Sequence, residues 1–497
     1  MGMKWTTPAK SATILLAAAI GLAACGNAEG EPKSNGGGNQ SAPNKTYEVV
    51  MTYPAFGDVT DVQAVQDAIS AITAEKVGAT VKLVPVNGSN YANQLNLMLS
   101  GSEKLDLAYT SVWFGFESQV SRGQLLPMDE PLAASGKGIL ETVPEATAEA
   151  GKIKGETYGI PSMKAWALSP SLVMRKDLLD KHGIDTTGLK TWSDADSVLQ
   201  VIKDKEPGVA PMVSYTAQET PGTAMLYFDP LGTAPGVLEF EGTDYAVEEI
   251  TATDAFANMA ALMKQWFDKG YFNKDIATTQ ETGSSLIKAG KAFSFIRNIN
   301  DCYTESVAAG AELVCVPLES SYMTRNSVAS NMMSLARNSE NPEKAIQVLD
   351  LLYTDEAVIN LFTNGIEGKH YVKSTDGLIA KPEGVERTGY DSNQYAVGNN
   401  FLSYVWTGNA PDIWKQLQAL NESAVKSRAM GFSFDINPVK AQIASVTNVQ
   451  NQYDAGFQTG ISDPAELAVY REKLKQAGIE KIVAEKQKQL DEWLDTK

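Results

Sequence analysis

The sequence predicts an α/β protein that begins with a parallel β-sheet, and three observations support this fold class. Residues 47–53, YEVVMTY, are rich in β-branched and aromatic residues, and residues 80–86 and 105–110 form two further strand-like runs. Between these runs, apolar residues recur at helical spacing over residues 60–76 and 91–100. Strands that alternate with helices in this way imply parallel pairing through right-handed crossovers.

The first two helices have recognisable ends. Thr60 is predicted to begin the first helix, with Gln63 completing a capping box, and Gly78 to end it. Gly101 is predicted to end the second helix. Because ligands bind parallel sheets beyond the carboxyl ends of the strands, we expect the site near the loops after Tyr53, Val86 and Tyr109.

The remainder of the chain is predicted to be mainly helical. One helix is expected over 254–269, a second from Asn341-Pro342 onward, and a third that ends at Phe362. Two C-terminal helices separated by Gly478 and a strand over 292–296 are also expected. The last helix has an apolar stripe made of Ile479, Ile482, Val483, Leu490 and Trp493. These elements predict one compact body without internal repeats.

The N-terminal residues have the pattern of a secretory signal. Lys4 and Lys10 precede an apolar stretch over 11–24, which is shorter than the roughly 20 residues that a spanning helix needs. Residues 22–25, LAAC, resemble a bacterial lipobox, in which the cysteine is acylated. We therefore predict a signal peptide at 1–24 and a lipidated Cys25; an ordinary cleaved signal with a chance cysteine is the alternative.

Residues 25–45 are predicted to be a flexible tether. They contain no large apolar residue and span on the order of 25 Å as a coil. The chain has a net charge of −18, and removal of residues 1–24, which hold two lysines and no acid, makes it −20. Such an acidic protein lacks the basic face of a nucleic-acid binder, so we expect no nucleic-acid partner.

The cysteines and histidines do not predict a cofactor or a metal site. Besides Cys25 the chain has Cys302 and Cys315, which are compatible with a disulfide bridge or with two free thiols. The two histidines, His182 and His370, are far apart, and no HExxH, CxxC or EF-hand pattern occurs.

Several stretches together resemble bacterial extracellular solute-binding lipoproteins of family 1, the sugar-binding components of ABC importers. The last of them resemble a Gram-positive, Paenibacillus-like subgroup. The stretches are GQLLPMDEPL (123–132), GETYGIP (155–161), SLVMRKDLLDKHGI (171–184), NPEKAIQVLDLLYTDEAVINLF (341–362), GIEGKHY (365–371), GFSFD (431–435) and AEKQKQLDEW (484–493).

The resemblance implies a two-lobed, periplasmic-binding-protein-like fold of type II, similar to maltose-binding protein, with an interlobe cleft and several chain crossings. By this analogy residues 46–166 and 326–395 form the first lobe, and residues 167–325 and 396–497 form the second. A ligand held by both lobes favours the closed state because it binds that state better.

The implied function is capture of a carbohydrate, expected to be an oligosaccharide, and its delivery to the membrane permease subunits of an ABC importer. The protein would act as a monomer, without a cofactor, on the outer face of the cytoplasmic membrane, held there by lipid. A binder of peptides or other polar solutes and a ligand sensor for a membrane receptor are the alternatives. A secreted glycosidase, which needs two positioned carboxylates, is less favoured because no GxSxG, P-loop or zinc motif accompanies the family pattern.

Aromatic rings and planar polar side chains suit the faces and hydroxyl rims of a sugar. Trp406 lies in NNFLSYVW, which resembles the segment that carries a stacking aromatic in maltose-type binders. For Trp406, Trp113 and Trp166, positions in the cleft and in the core are equally compatible with the sequence. For Arg297 the alternative is an interlobe ion pair. For Glu367, His370 and Tyr371 the alternative is a hinge or a packing turn. The remaining candidates are Tyr53, Asp58, Tyr227, Arg297, Asn298, Asn300, Glu367, His370 and Tyr404.

Overall fold

The computed structural model describes residues 46–391 and 395–497, and Thr46–Lys497 form one compact unit. Cys25 and the predicted signal and tether lie outside the described residues. The strands are β1 (Tyr47–Ala55), β2 (Ala79–Asn87), β3 (Leu107–Thr110), β4 (Leu125–Leu126), β5 (Lys152–Ile153), β6 (Glu156–Thr157), β7 (Ile160–Pro161), β8 (Ser169–Arg175), β9 (Ala210–Val213), β10 (Ala292–Ile299), β11 (Leu313–Pro317), β12 (Tyr322–Met323), β13 (Met332–Ala336), β14 (Val372–Lys373), β15 (Ile379–Ala380) and β16 (Val425–Lys426).

The helices connect and cover these strands. They are α1 (Val62–Val77), α2 (Tyr91–Ser100), α3 (Phe116–Ser121), α4 (Asp129–Ser135), α5 (Lys137–Thr142), α6 (Glu145–Ala148), α7 (Lys176–His182), α8 (Ala195–Lys205), α9 (Pro221–Ala224), α10 (Asp254–Asp268), α11 (Gly283–Lys288), α12 (Cys302–Ala309), α13 (Arg325–Val328), α14 (Pro342–Thr354), α15 (Glu356–Asn364), α16 (Ile413–Ser423), α17 (Lys440–Gln458), α18 (Leu467–Ala477) and α19 (Ile479–Leu494). No helix in the described ranges is long and apolar enough to cross a membrane.

The first sheet confirms the predicted parallel α/β unit. Its strand order is β2-β1-β3-β13-β4, with β7 also paired to β13. Strand β1 runs parallel to β2 and to β3, with Met51 opposite Leu107, whereas β13 is antiparallel to β3. The central β1 is buried from Val49 to Ala55, as is typical of strands in parallel sheets.

The start of α1 differs from the prediction. The helix begins at Val62, and neither Thr60 nor Gln63 forms a capping box. The Thr60 hydroxyl donates to the Gly389 carbonyl at 3.4 Å, and the Gln63 amide donates to Asp67 at 2.8 Å. The predicted end is confirmed, since Gly78 adopts a left-handed φ of 63° there.

The second sheet has the order β11-β8-β10-β9. Strand β10 is antiparallel to β8 and parallel to β9, so the carboxyl ends of β9 and β10 lie at one edge. Helices α8, α10 and α17–α19 pack on one face of this sheet around Trp266, Phe256 and Phe457. Cys302 and Cys315 form a disulfide on the other face, which joins α12 to β11 across a Cα distance of 5.7 Å.

Two large hydrophobic cores define the two lobes. The first core takes residues from 49–167 and 323–430, and the second from 172–318 and 429–490. Residues 396–402 and 420–424 contribute to the first core, and Ile413 and Leu417 form a small separate cluster with Ala165, although the analogy assigns residues 396–424 to the second lobe. Ala396 and Val397 are wholly buried in that core, and the Asn399 amide donates to the Leu352 carbonyl at 3.0 Å.

Candidate ligand-binding site

The carboxyl edge of the first sheet carries two exposed aromatic side chains. Strands β1 and β3 are parallel neighbours, so the residues that follow them emerge side by side. Phe56 follows β1 and is 69% exposed, and Trp113 follows β3 and is 60% exposed. Large apolar side chains exposed together at such an edge indicate a binding surface.

The backbone of residues 111–115 holds Trp113 away from the core. The Ser111 hydroxyl accepts a hydrogen bond from the Trp113 amide at 3.2 Å, and the Val112 amide donates to the Ala329 carbonyl at 3.2 Å. Gly115 then reverses the chain with a φ of 83°, a conformation that favours glycine. Val112 and Phe116 on either side are buried, so Trp113 is the residue of this turn directed to solvent.

A third exposed aromatic side chain belongs to the same edge. Tyr395 is 41% exposed, and its carbonyl accepts a hydrogen bond from the Asn331 side chain at 3.0 Å. Asn331 immediately precedes Met332, which lies opposite Thr110 at the end of β3. Within the described residues, the large aromatic side chains in the exposed class are Phe56, Trp113 and Tyr395.

The second lobe faces this edge with the residues that follow β10. The Asn300 side chain donates to the Ala167 carbonyl at 2.5 Å, at the first crossing between the lobes. The Asn298 side-chain oxygen is buried without a hydrogen-bond partner. Asp301, which follows Asn300, caps α12 by accepting the Thr304 amide at 2.7 Å, so this helix begins directly after Asp301.

A pocket of about 720 Å³ in the first lobe adjoins Phe56. Asp58 and Trp406, both predicted, are among its lining residues. The Trp406 indole donates to the Asn364 side chain at 3.0 Å, which fixes the ring against α15. The unpredicted polar residues that line the pocket are Thr60, Thr363, Asn364, Lys381, Glu386, Arg387, Thr388 and Asp391.

His370 stabilises the loop beside this pocket. Its Nδ1 accepts the Ile366 amide at 2.8 Å, which leaves the proton on Nε2, 3.3 Å from the Asp61 carboxylate. The ring is 1% exposed, and burial lowers its pKa despite Asp61. Glu367 in the same loop pairs with Lys373 at 3.2 Å. The hydrogen bonds of His370 and the ion pair of Glu367 therefore stabilise the loop itself.

Tyr404 lies next to the same loop. Its ring packs edge-on against Tyr371 with a centroid distance of 6.0 Å, and the Lys373 ammonium lies 4.6 Å from the Tyr404 centroid. The Tyr404 amide donates to Asn360 at 2.8 Å. Asp58, Glu367, His370, Tyr404 and Trp406 thus come together in one region of the first lobe.

Tyr53 and Trp166 lie in the core instead. Tyr53 is wholly buried against Phe362 at a centroid distance of 4.9 Å. Trp166 is 3% exposed, and its indole donates to the Ser162 carbonyl at 3.0 Å. Asn421 stabilises the first crossing between the lobes, at residues 166 and 167. Its side-chain oxygen accepts hydrogen bonds from the backbone amides of Trp166 at 2.8 Å and Ala167 at 3.0 Å.

The Arg297 side chain forms ion pairs within the second lobe. Its guanidinium contacts Glu219 at 3.1 Å and Glu305 at 2.5 Å, and lies 3.8 Å from the centroid of Tyr215. These partners all belong to the second lobe, so the ion pairs do not connect the lobes. Glu305 is 3% exposed, which makes this cluster a structural one.

Tyr227 belongs to an aromatic group at the second crossing between the lobes, which spans residues 318–328, where the chain leaves the second core and enters the first. Its ring centroid lies 4.7 Å from Phe240 and 5.6 Å from Tyr322. Burial raises the pKa of Tyr227 to about 12, and its hydroxyl has no hydrogen-bond partner.

The sequence reasoning missed Tyr395 and Asn331. Strand β13, which positions Asn331, was not among the predicted strands, and Tyr395 carries no local signal of exposure. The described residues contain no cluster of three His, Cys, Asp or Glu side chains that could hold a metal ion.

Comparisons with known proteins identify the family. The family described as bacterial extracellular solute-binding protein matches residues 57–359, and a domain of unknown function matches residues 428–495. A carbohydrate ABC transporter substrate-binding protein of Streptococcus pneumoniae serotype 4 is 26% identical over 511 residues, covering 99% of each chain.

Solved structures show the same two-lobed fold. The N-glycan transport solute binding protein from Streptococcus pneumoniae has a TM-score of 0.81 at 23% identity, covering 90% of this chain and 99% of that chain. Its complex with Man1GlcNAc has a TM-score of 0.70 at 23% identity over the same shares. Because the family match spans more than half of the sequence, this protein belongs to the bacterial extracellular solute-binding protein family.

Proposed function

We propose that this protein captures a carbohydrate, expected to be an oligosaccharide, between its lobes and delivers it to an ABC importer. The observation that carries the proposal is that Phe56, Trp113 and Tyr395 are all exposed near one edge of the first sheet, and that Asn300 of the second lobe contacts the crossing at Ala167. Aromatic faces cover the C–H faces of sugar rings, while asparagine and aspartate side chains bind hydroxyl groups.

Capture would couple to closure because the ligand groups come from both lobes. The first lobe would supply the aromatic side chains, and the second lobe would supply Asn298 and Asn300. A ligand that contacts both sets binds the closed form better and so raises its population. We infer lobes made of residues 46–166 with 326–424 and residues 167–325 with 425–497, as the cores support.

The protein would act outside the cell as a monomer without a cofactor. Lipid on Cys25 and the tether over residues 26–45 would keep it beside the permease subunits of its importer. One acyl chain gives only marginal anchoring, so stable retention would require more than one chain.

The test is a thermal-shift screen of the purified protein against oligosaccharides and peptides. The relative with a bound glycan suggests where to start, so mannose- and N-acetylglucosamine-containing glycans come first. A ligand at a hundredfold excess over Kd stabilises the folded state by about 2.7 kcal/mol. Stabilisation by peptides and by no sugar would contradict the carbohydrate assignment.

A second measurement separates binding from catalysis. Any glycan that stabilises the protein is incubated with it at high protein concentration and analysed by chromatography. Binding without turnover leaves the glycan intact at every time point. A product that accumulates with time would replace the binder assignment with a glycosidase.

A further inference from the structure

The C-terminal region holds a long irregular segment of the second lobe. Side chains of α18 and α19 hold the segment 226–252 by hydrogen bonds to its backbone groups. Gln487 accepts the Val247 amide at 2.7 Å and donates to the Tyr245 carbonyl at 3.0 Å, and Arg471 donates to the Thr251 carbonyl at 2.6 Å. Long irregular segments inside compact domains usually have a functional role.

Lys486 makes the most demanding of these contacts. The side chain is wholly buried, and its ammonium donates to the carbonyls of Pro230 at 3.1 Å, Ala234 at 2.7 Å and Gly236 at 2.8 Å. An ammonium group has three N–H donors, and here each has an acceptor. Burial of a charge is costly unless hydrogen bonds compensate it, so the convergence of three carbonyls is a specific feature of this turn.

The turn over residues 229–236 needs such support. Leu231 has a φ of 49°, which is uncommon for a residue with a bulky side chain, and Gly232 has a φ of 105°. The Asp229 carboxylate accepts the Leu231 amide at 2.9 Å from inside the turn. Lys486 closes the other side, so the conformation of the turn depends on a contact from α19.

This turn contacts the second crossing between the lobes. The Gly232 carbonyl accepts a hydrogen bond from the Asn326 side chain at 3.0 Å, and Asn326 is 6% exposed. The neighbouring Arg325 donates to Glu117 of the first lobe at 2.7 Å. A continuous set of polar contacts therefore runs from Lys486 through the turn and α13 to the first lobe.

We propose that the C-terminal region positions the crossing for ligand capture, and that Lys486 is the positioning residue through which it acts. The consequence for ligand affinity rests on the proposed function, whereas the effect on the crossing does not. The domain of unknown function at 428–495 would then serve to fix the geometry from which the lobes close.

The test compares Lys486→Met with Lys488→Met. Methionine keeps the length and apolar packing of the side chain beside Phe434 but removes the three donors. Lys488 is two residues away on the same helix, and its side chain is 64% exposed, so it is the matched control. Hydrogen exchange of the ligand-free proteins is measured by mass spectrometry over peptides that contain residues 229–236, 322–331 and 49–55.

We expect Lys486→Met to accelerate exchange at least tenfold in 229–236 and 322–331, with 49–55 unchanged, and Lys488→Met to change none of them. Exchange confined to 229–236 would overturn the proposal, because the crossing would then be independent of Lys486. If Lys486→Met does not fold, Asn326→Ala replaces it in the same experiment. Asn326→Ala should accelerate exchange both in 229–236 and in 322–331. Unchanged exchange in either segment would overturn the proposed coupling.

Ligand affinity gives the second readout, once the screen has identified a glycan. Lys486→Met should raise Kd at least tenfold, and adding Asn326→Ala should raise it no further, because both changes break one set of contacts. If the two substitutions raise Kd additively, Lys486 and Asn326 act independently, which would contradict the proposal. Failure of the glycan screen would count against the proposed function only, since the exchange experiment needs no ligand.

Discussion

Replacement of Trp113 by alanine tests the candidate site most directly. The side chain follows β3, is 60% exposed and packs little against the core, so its loss should change stability by no more than about 0.5 kcal/mol. Its loss should matter instead to a ligand that stacks on the ring.

The size of the effect follows from the exposed area. A tryptophan side chain offers on the order of 250 Å², so 60% exposure leaves about 150 Å² open to solvent. A sugar ring that covers one face removes about half of that area, or about 75 Å². At about 25 cal/mol per Å², the contact contributes about 2 kcal/mol, which corresponds to a roughly 25-fold change in Kd.

Titration calorimetry with the glycan from the screen measures Kd, and urea unfolding measures stability. Leu97→Ala is the surface control, because Leu97 is 66% exposed on α2, the helix that returns the chain to the opposite edge of the sheet. Trp166→Ala is the core control, with an expected loss of about 3–5 kcal/mol in stability. If Trp113→Ala binds within threefold of the unchanged protein, the edge is not the binding surface.

Three further predictions concern stability and location. Burial raises the pKa of Asp454 to about 6, so the folded protein binds this proton more tightly than the unfolded chain and loses stability as pH rises from about 4 to 6. Asp454→Asn should therefore gain about 2 kcal/mol over the unchanged protein in urea unfolding at pH 8 and almost nothing at pH 4; an equal gain at both values would refute the assignment. Asn421→Ala should lose about 3 kcal/mol in the same assay by leaving two buried amides and a carbonyl without partners, and a loss below about 1 kcal/mol would contradict this role. Cys25→Ala should release the protein into the culture medium without a change in Kd, and retention at the membrane would argue against the lipid anchor.

Local sequence patterns predicted the first sheet because they reflect contacts near in sequence. The spacing of Val65 and Ile69 describes a helix face that does pack on the sheet, and Gly78 ends the helix where predicted. The rule that ligands bind beyond the carboxyl ends of parallel strands then selected Trp113. Both inferences need only the order of neighbouring elements.

The opposite side of the same edge depends on contacts between distant segments. Strand β13 enters the sheet beside β3, with Met332 opposite Thr110, more than two hundred residues later. Asn331 and Tyr395 reach the edge only through this pairing. Arg297 illustrates the same limit, since its partner Glu219 comes from a separate segment, and the sequence alone could not distinguish this ion pair from a ligand contact.

Lys486 is a case in which the sequence did contain the signal. Ile482, Lys486 and Leu490 are spaced by four residues, so the lysine occupies the apolar stripe of α19. A charge at a core position requires compensating acceptors, and no carboxylate lies at hydrogen-bond distance from its ammonium in the described structure. In the structure the turn over residues 229–236 meets this requirement, because three of its backbone carbonyls converge on the ammonium. Only the fold shows that this turn also contacts the crossing between the lobes.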